Sequence, residues 1–341
     1  MRTYHSRDAL KQLFKESIAE DLNAAKRAAG NKEQQRSLLL DRKAERVGTQ
    51  QVWVDSHLNM LKEYCRHDLP KQYIPKSLRF VMCREQWHHD LWRIVKLTHW
   101  SMPPNEYVGR RKRILVFDGD FLVGLIGLAS SIWGLTARDQ WIGWDVIQKT
   151  ERINYVVDAY VLGAIPPYNG KYRGSKLLAY LSASDEIRQI WQQEYGSAPA
   201  AVVTTTLFGH SAVLNRVKHN DTKLWQHLGY TRGLGTMHFS LRTMTLAKEF
   251  LGESAIVVPD RITSGPNWKL RLMRTAIETA GLRAKEYLDH GYRRGIYLME
   301  YAQNTKEFLT GTDAQLRFKC RNMSDLIDSW ERLHTTQTSI C

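Results

Sequence analysis

The chain has 341 residues, of which 43% are hydrophobic and 25% are charged, a balance typical of a folded protein and not of a disordered one. Its formal net charge of +14 indicates a polyanionic partner, either nucleic acid or an anionic membrane surface. No apolar run is long enough to span a bilayer, and the first residues lack the apolar segment of a secretory signal. We therefore expect a cytoplasmic protein whose partner is nucleic acid and not a membrane.

The first part of the chain, residues 1–94, is predicted to be a helical, basic accessory region. The stretch from Ser6 to Gly30 begins with a capping serine, ends at a glycine and repeats its apolar residues at helical spacing. Residues 52–65 form a second amphipathic stretch with the same period.

Basic residues are concentrated between positions 71 and 113. This segment holds ten Lys or Arg side chains against three acidic ones, with three tryptophans among them. Cations bind phosphates and aromatic rings stack on bases, so the composition favours a nucleic-acid surface. The alternative is a packed tryptophan cluster beside solvated charges. The residues predicted to contact nucleic acid are Arg84, Arg93, Lys96, Arg110, Arg111, Lys112 and Arg113.

Two apolar runs, residues 122–133 and 154–165, are rich in β-formers and too short and Gly-punctuated for helices, which predicts two buried strands. Asp118-Gly119 is a preferred tight-turn pair and precedes the first of them, which predicts a hairpin. A polar, Gly-containing turn follows the second run, and residues 176–193 continue with helical period.

The turn between this strand and helix is a candidate anion site. Free backbone N–H groups and the positive end of the helix would point to the same place, and Lys171, Arg173 and Lys176 add cationic side chains. The spacing is neither that of a Walker loop nor that of a GxGxxG fingerprint. An ordinary connection with solvated basic residues is the alternative.

The remaining elements complete an α/β (α+β) fold with a mixed sheet. Residues 200–208 and 294–301 are predicted strands, and the segments beyond 245 are mostly helical. Residues 138–144 are predicted to be extended, residues 224–235 to be a helix end with a Gly-rich turn, and residues 236–244 to be a strand. The predicted domains are the helical region 1–94, an α/β core at 95–245 and a C-terminal extension at 246–341.

Neither a metal site nor a disulfide framework is expected. The four cysteines, Cys65, Cys83, Cys320 and Cys341, are scattered and form no CxxC pair, which indicates reduced thiols. The histidines at 210, 219 and 227 fit no compact set of metal ligands.

Several residue blocks follow one another in a characteristic order. His99-Trp100 and Val108-Gly109 come first, followed by Arg138, Asp139, Ile142, Gly143 and Trp144, by Gly174 and Ser175 at a helix entry, and later by Trp225, Leu228, Gly229, Thr231 and Gly233. This order resembles the DruA family of Druantia anti-phage defence systems. The resemblance covers roughly residues 95–311 and implies a role in phage defence beside other defence-system proteins. Where the family has an Asn-Ser-Arg-Phe strand, this chain has residues 158–161, which read Asp-Ala-Tyr-Val.

The architecture is also similar to GNAT-type acyltransferases, including Mom-like phage enzymes that modify adenine in DNA. A GNAT fold holds the pyrophosphate of acyl-CoA on backbone amides between a central strand and the next helix. Gly174 matches the position that needs no side chain, whereas Tyr172 stands where the motif has its first glycine. The resemblance implies a site for acetyl-CoA or another acyl-CoA formed by Lys171, Tyr172, Arg173, Gly174, Ser175 and Lys176.

A reaction at this place would need a general acid or base, and the candidates are His99, Asp139, Asp158, Tyr160 and His210. A structural alternative for Asp139 is a local ion pair with Arg138 that holds the loop before Trp141. If Asp158 is buried it needs a partner, which would make it the better functional candidate.

Two functions remain open from the sequence. The first is a DNA-binding protein of phage defence or DNA modification that keeps a GNAT-like core and a basic face. The second is an acyl-CoA-dependent transferase that modifies a flipped-out nucleobase in DNA.

Overall fold

The structure is a computed structural model that describes residues 6–70, 73–100, 102, 109–254 and 267–338. The chain forms two compact units. The helical unit comprises Met1–Asp55, Trp100–Val108 and Arg232–Arg293, and the sheet unit comprises Ser56–His99, Gly109–Thr231 and Arg294–Cys341. Within the described part of the chain, no helix is both long and apolar enough to cross a membrane.

The structure describes thirteen α-helices in these residues. They are α1 (Arg7–Ala28), α2 (Lys32–Gly48), α3 (Gln51–Tyr64), α4 (Gln86–Thr98), α5 (Thr136–Ile142), α6 (Val146–Arg152), α7 (Gly174–Leu181), α8 (Asp185–Tyr195), α9 (Leu241–Glu253), α10 (Trp268–Thr279), α11 (Ala284–Leu288), α12 (Thr305–Leu309) and α13 (Met323–Thr338). Short 3-10 helices span Ile153–Tyr155, Gly170–Tyr172 and Leu214–Arg216.

The core of the helical unit lies where α1 and α10 pack against α9. Leu10, Phe14 and Ile18 recur every four residues along α1, so they form one apolar stripe. This stripe is buried against Phe250 of α9 and neighbouring side chains, with the rings of Phe14 and Phe250 stacked. As predicted, α1 begins after a capping Ser6, whose hydroxyl oxygen accepts from the Ala9 N–H.

Asp21 on α1 holds the start of α9. One carboxylate oxygen accepts from the Arg42 guanidinium at 2.7 Å, and the other accepts from the Ser240 N–H at 2.7 Å and the Thr243 hydroxyl at 2.6 Å. Because Ser240 caps α9, the carboxylate satisfies donors that the helix leaves unpaired at its beginning. Asp21 and Arg42 thus form a nearly buried ion pair that joins three helices of this unit.

The sheet unit is built on a seven-stranded mixed sheet with the order β1-β2-β3-β4-β5-β9-β8. β4 and β5 are parallel and the other neighbours are antiparallel, which confirms the predicted α/β class with a mixed sheet. A separate two-stranded ribbon joins β6 and β7. The strands are β1 (Leu78–Met82), β2 (Arg111–Asp118), β3 (Phe121–Ser130), β4 (Val156–Ala164), β5 (Ala201–Thr206), β6 (Lys218–His219), β7 (Thr222–Lys223), β8 (Gln226–Tyr230) and β9 (Gly295–Glu300).

The central strands follow the sequence prediction. β3 and β4 occupy the two apolar runs, β5 and β9 form where predicted, and β2 turns into β3 at Asp118-Gly119. Gly119 has φ +59°, the left-handed conformation that this tight turn requires. Cys65, Cys83 and Cys320 are free thiols. Cys341 lies outside the described residues, as does Val108.

Residues 176–193 are largely helical, as predicted, but they belong to two helices, because the Ser184 hydroxyl accepts the N–H of Ile187 and starts α8. Three other predictions of local structure are wrong. Most of residues 138–144 belong to α5, which ends where Gly143 adopts φ +82°. Residues 226–230 form a strand, and residues from 241 onwards form a helix, not a strand, because Ser240 caps it.

The boundaries of the two units differ from the predicted domain boundaries near residues 94 and 245. β1 pairs with β2, and β9 lies between β5 and β8, so segments on both sides of those boundaries belong to the sheet unit. Residues 232–293 join residues 1–55 in the helical unit. Such pairing between distant segments leaves no mark in local composition.

Replacing Asp21 with Ala should lower the free energy of unfolding by about 3 kcal/mol, because it leaves the Arg42 guanidinium and the start of α9 without their shared acceptor. Urea unfolding followed by circular dichroism measures the change. The matched control is Glu20→Ala, since Glu20 is exposed and its nearest partner, Arg242, is 3.6 Å away. We expect an effect of less than about 0.5 kcal/mol for the control, and equal effects in the two variants would contradict the assigned role.

Candidate nucleic-acid interface

The strand register places four polar side chains on one side of the sheet. Arg111 pairs directly with Ala129, which pairs directly with Asp158, and directly paired residues point to the same side. Arg113 and Tyr160 lie two residues further along the same strands, so their side chains point to that side too. We call the side chains of Arg111, Arg113, Asp158 and Tyr160 the Asp158 face.

Because side chains alternate along β2, the basic residues at 110–113 do not all lie on one side of the sheet. Lys112 points to the other side, where it is buried and its Nζ lies 2.6 Å from the Glu194 carboxylate of α8. Arg110, just before β2, donates to Asn154 Oδ1 at 2.7 Å and to the Ser197 hydroxyl at 3.3 Å. Of the four consecutive residues predicted to bind nucleic acid, only Arg111 and Arg113 belong to the Asp158 face.

A glycine makes room for two aromatic rings beside these cations. A Cβ atom at Gly127 would lie 2.8 Å from the Tyr160 ring and 3.0 Å from the Trp92 ring. The two rings pack with centroids 6.4 Å apart, and the Arg113 guanidinium lies 6.0 Å from the Trp92 centroid. Burial raises the pKa of Tyr160, and the neighbouring Arg113 acts in the opposite direction. The tyrosine is therefore a neutral polar group at physiological pH.

Helix α4 supplies the other predicted cations. Lys96 follows Trp92 by one helical turn and so lies on the same side of α4, while Arg93 is exposed on the adjoining row. Arg84 is exposed just before the helix. His99 lies at the C-terminal cap of α4, with Nδ1 2.7 Å from the Thr98 hydroxyl oxygen.

Asp158 contacts the loop that follows β3. One of its oxygens accepts from the Ser131 hydroxyl at 2.7 Å, and the other accepts from the Ile132 N–H at 3.2 Å. Burial raises the pKa of Asp158 to about 6, although these hydrogen bonds and the Arg138 charge act in the opposite direction. A carboxyl group with a raised pKa suits proton transfer, so Asp158 is the strongest of the catalytic candidates.

Arg138 is fully buried and hydrogen-bonds to the backbone of this loop. Its Nη1 donates to the Ser131 hydroxyl oxygen at 2.6 Å and to the Ile132 carbonyl at 2.7 Å, and its Nη2 donates to the Trp133 carbonyl at 2.9 Å. Nε and Nη2 also donate to one oxygen of Asp139, at 2.9 and 2.6 Å. The expected ion pair of Arg138 with Asp139 is present, and it supports the loop before α5.

Asp139 accepts hydrogen bonds from Arg138, Lys149 and Trp144. The Lys149 ammonium lies 2.7 Å from its second oxygen, and the Trp144 indole N–H donates to the first at 3.2 Å. Burial alone would raise the pKa of Asp139, but the hydrogen bonds and charges of Lys149 and Arg138 outweigh it and hold the pKa below its ordinary value. Asp139 is therefore ionised and fully engaged, which suits a structural partner better than a general base.

The residues predicted to bind acyl-CoA lie at the opposite end of β4. A Cβ atom at Gly174 would lie 2.8 Å from the Ala164 side chain, and Ala164 is six residues along the strand from Asp158. At about 3.3 Å per residue this separates the turn from Asp158 by roughly 20 Å. The structure does not bring the predicted cofactor turn and Asp158 together.

Most of this turn is engaged in packing. Tyr172 is buried and its hydroxyl donates to the Leu69 carbonyl at 2.9 Å, while the Arg173 guanidinium donates to the Leu333 carbonyl at 2.7 Å. The Gly174 N–H, at the start of α7, donates to the Tyr168 carbonyl at 2.8 Å.

The outer side chains of the turn differ in exposure. Lys171 is exposed, with its ammonium 4.7 Å from the Tyr172 ring centroid, whereas Lys176 is buried. The Ser175 hydroxyl oxygen accepts the Ala164 N–H at 3.4 Å. Acyl-CoA binding at this turn stays a prediction.

Two of the histidines considered in the sequence, His210 and His227, belong to an aromatic cluster in the sheet unit. The rings of His210 and His227 have centroids 4.4 Å apart, and Tyr230 and Tyr297 pack against His227. Among the residues that the structure describes, no group of three or more His, Cys, Asp or Glu side chains is arranged to hold a metal ion.

Sequence reasoning missed Ser131, Lys149 and the exposed Trp133 as parts of the site. Ser131 and Trp133 lie at the end of a predicted strand, where nothing in the local pattern shows that Arg138 hydrogen-bonds to them. Lys149 lies on a short helix of ordinary composition. A serine and a tryptophan that follow a buried strand directly are the only signal the sequence offers.

These observations define a two-unit, mixed α/β protein with a cationic, aromatic-lined face on its sheet. The sequence profile of the family described as Druantia protein DruA matches residues 29–311. The Druantia protein DruA of Escherichia coli (strain UMEA 4076-1) is 31% identical over 307 residues, which cover 84% of this chain and 75% of that protein. No solved structure matches the chain significantly. The chain belongs to the DruA family.

Titration of Asp158 should make the stability of the protein depend on pH. Its folded pKa of about 6 lies above the ordinary value of 3.8, so the folded state binds this proton more tightly than the unfolded state between those two pH values. Lowering the pH from 7 to 4 should therefore stabilise the wild type relative to Asp158→Asn, by roughly 2–3 kcal/mol. Urea unfolding of both proteins at a series of pH values measures the difference.

The control for this experiment is Asp139→Asn. The Asp139 pKa is lowered from its ordinary value of 3.8, so the stability that its charge contributes is complete above about pH 5 and is lost as the pH falls below that. The difference between wild type and Asp139→Asn should stay constant from pH 7 to 5. Parallel profiles for wild type and Asp158→Asn would show that Asp158 has no raised pKa.

Proposed function

We propose that this protein binds DNA through the Asp158 face and acts in anti-phage defence. The observation that carries the proposal is the register that sets Arg111 and Arg113 side by side, next to the cations of α4. Membership of the DruA family supports the defence role, and the net charge of +14 supports a polyanionic partner. Other proteins of the same defence system are the further partners that this role implies.

The chemistry of the face suits a nucleic-acid backbone. Guanidinium groups bind phosphate oxygens with two parallel N–H donors, and neutralising phosphates releases counterions, which drives binding at low salt. The rings of Trp92 and Tyr160 pack against each other beside Arg113, so the Arg113 guanidinium lies close to the sheet. Arg111 is exposed next to it.

Replacing Arg111 and Arg93 with Ala should weaken duplex binding and lower the slope of log affinity against log salt concentration by about 1 for each phosphate that is no longer neutralised. Fluorescence anisotropy with a labelled duplex at several salt concentrations measures both quantities. The control is Lys112→Met, which removes a charge from the same strand on the side that faces Glu194. The control should leave the slope unchanged. Equal slopes in the wild type, the double variant and the control would show that neither Arg111 of the Asp158 face nor Arg93 of α4 contacts DNA, and would contradict the proposal.

A transferase with a GNAT-like core is the second candidate, and the raised pKa of Asp158 favours it. In that function Asp158 would take a proton from the amino group of a nucleobase while acyl-CoA is held at the Lys171–Lys176 turn. The separation of roughly 20 Å between turn and carboxyl, and the burial of Tyr172, weigh against it.

This candidate predicts saturable binding of acetyl-CoA in a calorimetric titration. Lys171→Glu should weaken that binding at least tenfold, because Lys171 is exposed at the turn and its charge would be reversed. Lys171 suits the test better than Gly174, whose replacement would place a Cβ atom 2.5 Å from the Tyr168 carbonyl oxygen. No binding heat from a wild type that still binds DNA would exclude the transferase and leave the first proposal intact.

A further inference from the structure

The loop between β3 and α5 exposes two large apolar side chains. Ile132 is 45% exposed and Trp133 is 52% exposed. One ring face of Trp133 is approached by the Lys149 ammonium, which lies 4.6 Å from the ring centroid. Large apolar side chains that are exposed together on one loop are typical of a surface that binds a partner.

Several hydrogen bonds fix the backbone of this loop. Arg138 donates to the carbonyl groups of both Ile132 and Trp133, and the Ile132 N–H donates to Asp158. Burying a guanidinium completely is costly unless its donors are all used, and here they are used to hold the loop. The two apolar side chains therefore stand on a rigid base, which limits the entropy lost when they bind a partner.

The loop lies beside the proposed DNA-binding side chains. Asp158 touches the Ile132 backbone, and Arg111 is two strands away from Asp158 across Ala129. Two strand spacings amount to about 10 Å, which is about three nucleotide steps along one DNA strand. A strand whose phosphates contact Arg111 would therefore have neighbouring bases at the loop that carries Trp133.

We propose that Ile132 and Trp133 form a wedge that enters a base step of the bound DNA and unstacks it. The inference rests on the proposed DNA binding by the Asp158 face and names what that face does to its ligand. Apolar side chains inserted between base pairs kink and unstack the duplex, and an indole gains by stacking on the exposed base. The cationic neighbours favour DNA over an uncharged protein surface as the occupant of this loop.

The test uses the full chain and a duplex that carries 2-aminopurine at a TA step, the step that unstacks most easily. Unstacking of 2-aminopurine increases its fluorescence. The wild type should raise the fluorescence on saturation, and Trp133→Ala should abolish the rise and weaken binding about tenfold. The salt dependence of binding by Trp133→Ala should stay that of the wild type, because no charge is removed.

Two further variants serve as controls. Trp133→Phe keeps an aromatic ring and should restore most of the fluorescence change, which a misfolded loop would not do. Val52→Ala removes a side chain that is 86% exposed in the helical unit, and it should behave as the wild type does.

The outcomes separate the two proposals. A wild type that binds the duplex without any fluorescence change, or a Trp133→Ala protein that matches the wild type, overturns the wedge and leaves the loop as a surface for a protein partner. A wild type that fails to bind duplex at low salt overturns the DNA-binding proposal as well.

Discussion

The buried guanidinium of Arg138 is the group on which the arrangement of the site depends. It connects Ser131, the carbonyl groups of the following two residues and the Asp139 carboxylate, so it links the end of β3 to the start of α5. A guanidinium without water around it must use its donors on the protein, and this requirement fixes the loop geometry. The pair of Arg138 and Asp139 is therefore better explained by a structural role than by a catalytic one, while Asp158, whose pKa is raised, lies one hydrogen bond further out.

The distribution of positive charge follows from the strand geometry more than from composition. A run of four basic residues at 110–113 suggests a continuous patch, yet β2 turns alternate side chains to opposite sides of the sheet. Lys112 neutralises Glu194 and Arg110 binds the backbone and side chain of Asn154, so part of the excess charge stabilises the fold. The cations that remain on the Asp158 face are joined there by side chains from α4, a helix that the sequence places in a different domain.

The sequence predicts the elements whose signals are local. β3, β4 and the Asp118-Gly119 hairpin are recognised because apolar runs and a turn pair lie next to each other, and α1 because its cap and period agree. Residues 226–230 and α9 are missed because β8 forms only by pairing with β9, and because Ser240 starts a helix inside an apolar stretch that resembles a strand. The same limit applies to the site. Asp158 could be selected as a carboxylate in an apolar strand, but its hydrogen bond with Ser131 depends on a loop conformation that Arg138 sets from elsewhere in the chain.

The position of β9 has a consequence for how the protein is made. This strand comes from residues 295–300, yet it lies between β5 and β8 and supplies the hydrogen bonds of both. On a ribosome the edges of β5 and β8 that face β9 therefore stay unpaired until residues 295–300 have emerged, and unpaired edges are the templates on which chains aggregate. Residues 232–293 likewise must be synthesised before the helical unit can close around α1. Expression yield should thus be limited by the survival of late-folding intermediates, and chaperones that shield exposed strand edges should raise it more than any gain in the stability of the finished fold.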